Sequence, residues 1–162
     1  MKRNHFFLLA ALFVILLASC QSSDDTLSPP QIRYGEDVCD HCNMIINEPR
    51  FAAAYLTAEN ESRRFDDIGE MLLSAHQRDD NVRAFWVHDF QSEEWVDAAE
   101  AHYVHNPDLM TPMGWGLAAF AAAGDAQDYS AANDLAVLTF TKLQEQIQHG
   151  DLAPQGMARH DH

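Results

Sequence analysis

The sequence has few basic residues. Its 162 residues include 10 lysines and arginines against 25 aspartates and glutamates, which gives a formal net charge of −15. Proteins bind nucleic acids by neutralising phosphates with Lys and Arg, so this balance excludes a nucleic acid as partner. It also argues against binding to lipids through a polybasic surface. The acidity suits a cationic ligand, although it serves solubility equally well.

The sequence also lacks the motifs of common enzymes. It contains no nucleophile elbow, no glycine-rich phosphate loop and no paired-carboxylate arrangement. Its serines, histidines and aspartates are scattered without a triad signature. We therefore predict that the protein is not an enzyme.

No hydrophobic run is long enough for a permanent transmembrane helix. The run over residues 6–17 is too short, and it follows the basic residues Lys2 and Arg3. It ends in Leu-Ala-Ser before Cys20, as in a lipoprotein signal peptide. We predict a signal peptide over residues 1–19 and lipidation of Cys20, with palmitate as an acyl group. This lipid would anchor an exported protein to a membrane surface, periplasmic or outer. Ordinary cleavage with a free Cys20 thiol is the alternative.

The mature chain is long enough for one compact domain or two small ones. Residues 20–32 are polar and contain two prolines, which predicts a flexible tether. Residues 149–162 form a polar tail with Met157, His160 and His162. Two interpretations of this tail stay open, weak collection of copper or a solvated chain end.

The remaining residues, 33–148, show an alternation of strand and helix patterns. Apolar and β-branched runs predict strands at 51–56, 62–65, 83–90, 95–98, 102–105, 116–121 and 135–140. Helical spacing of apolar residues predicts helices at 67–76, 125–133 and 141–148. The order strands, helix, strand occurs twice. We therefore predict an α+β domain made of two small related ββαβ-type units, at about 33–90 and 91–148.

Cysteine is scarce, and lipidation of Cys20 leaves only Cys39 and Cys42. A disulfide between them would close a tiny loop and add little stability, so we expect a chemical role. An exported thiol–disulfide oxidoreductase is one alternative. Such enzymes place the first thiol at a helix N-terminus, whereas Pro49 and the β-branched pair Ile45-Ile46 disfavour a helix here.

Two metal-binding alternatives remain for the pair. A structural zinc-binding interaction module needs four ligands, and no second Cys pair exists. Histidines would have to complete it, and those available are His76, His88, His102 and His105. Cu(I), in contrast, prefers thiolate and thioether sulfur. Cys39, Cys42 and Met44 supply three such donors on one loop, and Met113 on a Gly/Pro-containing loop offers a fourth.

His41 and the two aspartates Asp66 and Asp67 are not expected to be metal ligands. His41 lies inside the motif, and we expect it to tune the site or face solvent. Asp66 and Asp67 carry hard oxygen donors that do not suit Cu(I), so we expect one of them to cap the following helix.

In their order along the chain, these segments resemble the NosL family, the lipoprotein accessory factors of nitrous oxide reductase. The resemblance covers about residues 38–140 and follows the Leu-Ala-Ser-Cys site. It rests on the segments CDHCNMII, FDDIGEML, WVDAAEAHYV and TPMGWGLAAF. The family's Cys-x-x-Cys-x-Met motif corresponds to Cys39, Cys42 and Met44, and its Thr-Pro-Met-Gly segment corresponds to Met113.

The resemblance implies both a fold and a function. The implied fold is a pair of ββαβ-type units related to part of the organomercurial lyase fold, which does not imply lyase activity. The implied function is that of a Cu(I) chaperone for the copper centres of nitrous oxide reductase. Its implied docking partner is an ABC-type maturation complex. A homodimer that shares the metal site is left open.

Overall fold

The computed structural model describes residues 27–155. The predicted signal peptide, Cys20, most of the tether and residues 156–162 of the tail lie outside this range. The strands are β1 (Ala53–Thr57), β2 (Ser62–Phe65), β3 (Val82–His88), β4 (Trp95–Asp97), β5 (His102–His105), β6 (Leu117–Phe120) and β7 (Val137–Leu138). The helices are α1 (Ile68–Arg78), α2 (Ala123–Asn133) and α3 (Phe140–Gln148), with a 3-10 turn over Pro49–Phe51. Within the described range, no helix is long and apolar enough to cross a membrane.

The strands form two antiparallel sheets with the same internal topology. The four-stranded sheet has the order β2-β1-β3-β4, and the three-stranded sheet has the order β6-β5-β7. In both sheets a hairpin is followed by a helix, and the next strand pairs with the free side of the first strand. The predicted α+β fold of two ββαβ-type units is therefore confirmed.

Strand β4 joins the first sheet rather than the second. Its residue Trp95 pairs with His88, and Asp97 pairs with Trp86. The connecting turn is short because the Asp89 carboxylate accepts hydrogen bonds from backbone N–H groups within it, including that of Ser92 at 2.8 Å. A short turn favours pairing of successive strands. The first sheet thus extends beyond residue 90, the boundary that the sequence predicts between the two units.

The predicted strand over 135–140 is shorter in the structure because α3 begins early. Thr139 is the N-cap of α3, and its hydroxyl accepts a hydrogen bond from the N–H of Lys142 at 3.3 Å. Only Val137 and Leu138 remain in β7. Thr139 itself is extended, but the helix that it caps begins at Phe140, so the strand cannot run to residue 140.

One hydrophobic core spans both units. It contains Phe65 and Met71 from the first unit together with Tyr103, Leu117 and Leu143 from the second, all fully buried. Each fully buried side chain of this size contributes about 1.5–3 kcal/mol relative to leaving it exposed. The shared core therefore fixes the loops of the second unit against helix α1.

Candidate metal centre

The two cysteines of the Cys-x-x-Cys motif lie on a closed backbone loop. A bridge joins Val38 to Ile45, and the N–H of Cys39 donates to the carbonyl of Met44 at 2.8 Å. Asn43 has a φ of 61°, in the left-handed region that Asn tolerates better than most residues. This conformation lets the chain turn back within four residues, which brings both thiols to one side.

The loop is attached to the first unit through Asp40. The N–H of Asp40 donates to the carbonyl of Arg64 at 2.8 Å, and its carboxylate accepts from the N–H of Arg64 at 2.7 Å. Arg78 Nη2 donates to the Asp40 carbonyl at 2.9 Å. Strand β2 and helix α1 therefore hold the loop over the N-terminus of α1.

At that N-terminus two carboxylates meet the two thiols. One ligand atom from each of Cys39, Cys42, Asp66 and Glu70 lies within 4.8 Å of the others. The Cys39 thiol donates to Glu70 Oε2 at 3.2 Å, and the Cys42 thiol contacts both Asp66 carboxylate oxygens, at 3.6 and 3.7 Å. Both cysteines are free thiols. Four donors of this kind in one place form a group that could hold a metal ion.

Sequence reasoning missed both carboxylates as members of this group. Asp67, not Asp66, caps helix α1, since its Oδ1 accepts from the Gly69 N–H at 3.1 Å. The prediction that one of the two aspartates caps the helix is confirmed at Asp67, whereas neither Asp66 nor Glu70 was predicted to join the thiols. The sequence offers no periodic signal for this pair, because Asp66 precedes the N-cap Asp67 and lies outside the helix, whereas Glu70 lies in its first turn.

Asp67 also connects the site to the second unit. Its Oδ2 accepts from Thr111 Oγ1 at 2.6 Å and from the N–H of Met113 at 3.2 Å. Burial raises the pKa of Asp67 to about 6, although these hydrogen bonds oppose the rise. The loop that carries Met113 is thus held against the start of α1. This is where Asp66 and Glu70, which contact the thiols, are located.

The structure places the two predicted methionines at the margin of the group. Met44 is 54% exposed and lines a pocket of about 220 Å³ together with Asp66 and Pro112. Met113 follows Pro112 in the chain and packs, partly buried, against the main core. Met44 thus shares a pocket with Asp66, and the backbone of Met113 contacts Asp67, the next residue in the chain. Their role as ligands stays a prediction.

The group is crowded with acidic functions. Burial raises the pKa of the Cys42 thiol to about 11, and the charges of Asp66 and Glu70 add to the rise. Burial likewise raises the pKa of Cys39 well above its ordinary value. Burial, and then the hydrogen bond with Asp66, raises the pKa of Glu70. The carboxylates thus disfavour ionisation of the thiols, and a bound cation would relieve this repulsion. The donor set therefore fits a cation.

Histidines are not part of the group among residues 27–155. His41 contributes only its backbone N–H, which donates to Cys39 Sγ at 3.5 Å. The ring of His88, one candidate for a zinc site, instead contacts the Ala52 carbonyl at 2.9 Å and the Tyr34 hydroxyl at 3.0 Å. A Cys2His2 site is therefore not assembled in this part of the chain.

Comparisons with known proteins agree with this architecture. The family model named NosL matches residues 31–148. A crystal structure described as the copper chaperone NosL from Shewanella denitrificans superposes with a TM-score of 0.59. Its sequence identity is 17%, and the match covers 71% of this chain and 96% of that one. At this identity the likeness shows the fold alone. No curated protein matches the sequence. Because the family model spans most of the described residues, the chain belongs to the NosL family.

Proposed function

We propose that the protein is a Cu(I)-binding metallochaperone that is anchored to a membrane through lipidated Cys20. We further propose that it delivers copper for assembly of the copper centres of nitrous oxide reductase. The observation that carries the copper assignment is the pair of free thiols, Cys39 and Cys42, held together over α1. Membership of the NosL family and the fold shared with a copper chaperone support it. Copper is the cargo of this protein, not a permanent cofactor.

Uptake depends on the sulfur atoms of the loop. Cu(I) favours thiolate and thioether sulfur at low coordination number, so Cys39, Cys42 and Met44 form its preferred donor set, with Met113 as an additional donor. The thiolate is the ligand form, so each thiol that binds must lose its proton. Asp66 and Glu70 lie beside the thiols and add negative charge without competing strongly for a soft ion.

Release proceeds by ligand exchange. An ion with few ligands accepts an incoming sulfur or nitrogen donor before the outgoing one leaves. The proposed partners are nitrous oxide reductase and an ABC-type maturation complex, for which the resemblance to the family is the support. A homodimer that shares the site would use the same exchange chemistry.

One observation favours a second candidate, a structural zinc-binding module. Zinc accepts thiolate and carboxylate ligands in a tetrahedral arrangement, and the group offers two of each. A thiol–disulfide oxidoreductase has no comparable support. Cys39 is only 1% exposed, neither cysteine is itself part of a helix, and burial raises the pKa of both thiols rather than lowering it.

The deciding experiment is metal analysis of protein purified anaerobically under reducing conditions, followed by competition with a Cu(I) chelator. We expect copper rather than zinc to be retained. We also expect the variant Cys39→Ala/Cys42→Ala to lose tight Cu(I) binding while its circular dichroism stays native. Met110→Ala is the matched control, since Met110 is 83% exposed on the neighbouring loop. A double variant that competes for Cu(I) as well as the wild type would disprove the sulfur-loop site.

A further inference from the structure

Asp67 makes more hydrogen bonds than helix capping requires. Capping of α1 uses one of its oxygens, Oδ1, which accepts from the N–H of Gly69 at 3.1 Å. An asparagine caps a helix about as well and carries no charge. Asp67 is instead a carboxylate with only 1% of its surface exposed, and burial of a charged group is costly unless hydrogen bonds offset the cost. The bonds of the second oxygen therefore have to account for the carboxylate.

That second oxygen holds a loop of the second unit. Oδ2 of Asp67 accepts from the hydroxyl of Thr111 at 2.6 Å and from the N–H of Met113 at 3.2 Å. The donors lie 44 and 46 residues further along the chain, so these bonds join the two units. The backbone of Met113 is thus bonded to the residue that follows Asp66, whose own carboxylate contacts the Cys42 thiol at 3.6 Å.

The loop 111–116 is closed by its own hydrogen bonds. The N–H of Gly114 donates to the Thr111 carbonyl at 3.0 Å, and the N–H of Gly116 donates to the Thr111 hydroxyl at 3.2 Å. Gly116 has a φ of 63°, and a Cβ there would lie 2.4 Å from the Asn106 carbonyl oxygen, so the turn has no room for a side chain. The loop therefore keeps its shape, and its place relative to α1 depends on the contacts that hold it from outside.

This loop reaches the margin of the metal centre. Pro112, which lies between the two residues that bond to the carboxylate, lines the pocket of about 220 Å³ together with Met44 and Asp66. The side chain of Met113 packs, partly buried, against the same core as Cys42. The loop thus brings the one sulfur donor predicted in the second unit to a centre that is otherwise built from the first unit.

We propose that Asp67 is a positioning residue for Cu(I) binding. It holds the loop 111–116 so that the thioether of Met113 completes the coordination of an ion bound by Cys39 and Cys42. The inference rests on the proposed function, because it concerns the same bound Cu(I). Asp67 itself does not bind the ion, since both of its oxygens accept from N–H and O–H donors and oxygen is a poor ligand for Cu(I). A shift of the loop away from α1 withdraws the thioether and leaves both thiols in place.

The test measures the Cu(I) affinity of the full chain by anaerobic competition with bicinchoninate. We expect Asp67→Asn to weaken Cu(I) binding by about 10-fold or more, as for other residues that orient metal ligands. Met113→Leu should cause a loss of similar size. The double variant Asp67→Asn/Met113→Leu should bind Cu(I) no more weakly than Met113→Leu alone, because Asp67 acts through Met113. X-ray absorption should show one sulfur scatterer fewer around copper in all three variants.

Asp89→Asn is the matched control. Asp89 is also a buried carboxylate that accepts from a backbone N–H of the second unit, that of Ala121 at 2.8 Å, but it is not part of the metal centre. We expect its substitution to leave the Cu(I) affinity and the sulfur count unchanged. Thr111 provides a second test, which serves even if Asp67→Asn folds poorly. Thr111→Val removes the hydroxyl and should weaken Cu(I) binding, whereas Thr111→Ser retains the hydroxyl and should match the wild type.

Any of three results would overturn the inference. The first is wild-type affinity and sulfur count in Asp67→Asn or in Met113→Leu. The second is losses that add in the double variant, since Asp67 would then act independently of Met113. The third is equal affinity of Thr111→Val and Thr111→Ser. Cys39→Ala/Cys42→Ala keeps the two proposals separate. If it loses copper while Asp67→Asn behaves as wild type, only the positioning inference fails. If it retains copper, the proposed centre itself is wrong.

Discussion

The indole of Trp115 occupies the space in which a side chain at Gly69 would begin. A Cβ built on Gly69 would lie 2.0 Å from Trp115 Cδ2, far closer than any real contact. Gly69 is in the first turn of α1, one residue before Glu70 of the metal centre, and Trp115 belongs to the second unit. This contact therefore sets the distance between the loop of Met113 and the helix start that carries the carboxylates.

Gly69→Ala should destabilise the protein. The added methyl group overlaps the ring, and overpacking of this kind costs about 1–3 kcal/mol or more. Gly124→Ala is the matched control, because Gly124 lies in α2 with no atom within 4 Å of its Cβ position. Ala there should be neutral or stabilising by about 0.5–1 kcal/mol. Urea unfolding measures both, and equal midpoints for the two variants would contradict the packing argument.

Affinity for Cu(I) should rise with pH. The pKa of Cys42 is raised to about 11 and that of Cys39 lies above its ordinary value, so both thiols hold protons near neutral pH. Binding releases these protons, and each one changes the apparent affinity by about tenfold per pH unit. Chelator competition between about pH 6 and 8, corrected for protonation of the chelator, measures the slope. A flat profile would show that the ion does not bind through these thiols.

Asp89→Asn should destabilise the protein near neutral pH and do so less in acid. Asp89 Oδ1 accepts from the N–H of Ala121 at 2.8 Å, and Oδ2 accepts from Ser92, so the carboxylate joins the two units. An asparagine keeps one acceptor oxygen and turns its NH2 group toward the donors of the other, at a cost of about 1.5–3 kcal/mol.

The pH dependence follows from the pKa of Asp89. Burial would raise this pKa, but the hydrogen bonds from Ala121 and Ser92 outweigh burial, and the pKa lies below 3.8. Its contribution is therefore complete above pH 3.8 and is lost as the pH falls through the folded-state pKa. Urea midpoints of wild type and variant should converge in that range. Asp128→Asn, at an exposed position in α2, serves as the matched control. A gap that widens in acid would contradict the assigned charge state.

The sequence predicted the local elements better than their assembly. Alternation of apolar residues located β1, β2, β3 and β5, and an aspartate before the apolar spacing located the start of α1. These signals are local, because strand periodicity and capping depend on neighbouring residues. The membership of β4 in the first sheet depends on the hydrogen bonds of Asp89 in the preceding turn. The periodicity of the sequence does not reveal these hydrogen bonds or the sheet that β4 joins.

The candidate site shows the same division. Cys39 and Cys42 were identified from their spacing, because the motif is contiguous. Asp66 and Glu70 join them only because Asp40 fastens the loop to Arg64 and thereby lays it over α1. That contact links residues 24 apart in the chain, and a single sequence carries no pattern that specifies it.

Because the donor set is mixed, we expect different substitutions to lower the affinity for copper and the affinity for zinc. Cu(I) favours sulfur, so Met44→Ala should weaken Cu(I) binding by about tenfold or more and leave zinc affinity unchanged. Zinc accepts carboxylate ligands, so Asp66→Asn/Glu70→Gln should weaken zinc binding and change Cu(I) binding little. Competition titrations with each metal on the three proteins measure this crossed pattern. The amide variants keep the size of the side chains, so packing around α1 stays comparable. If the carboxylate variant lost Cu(I) and the methionine variant did not, the oxygen side of the centre would be the cargo site, and the sulfur assignment of Met44 would be wrong.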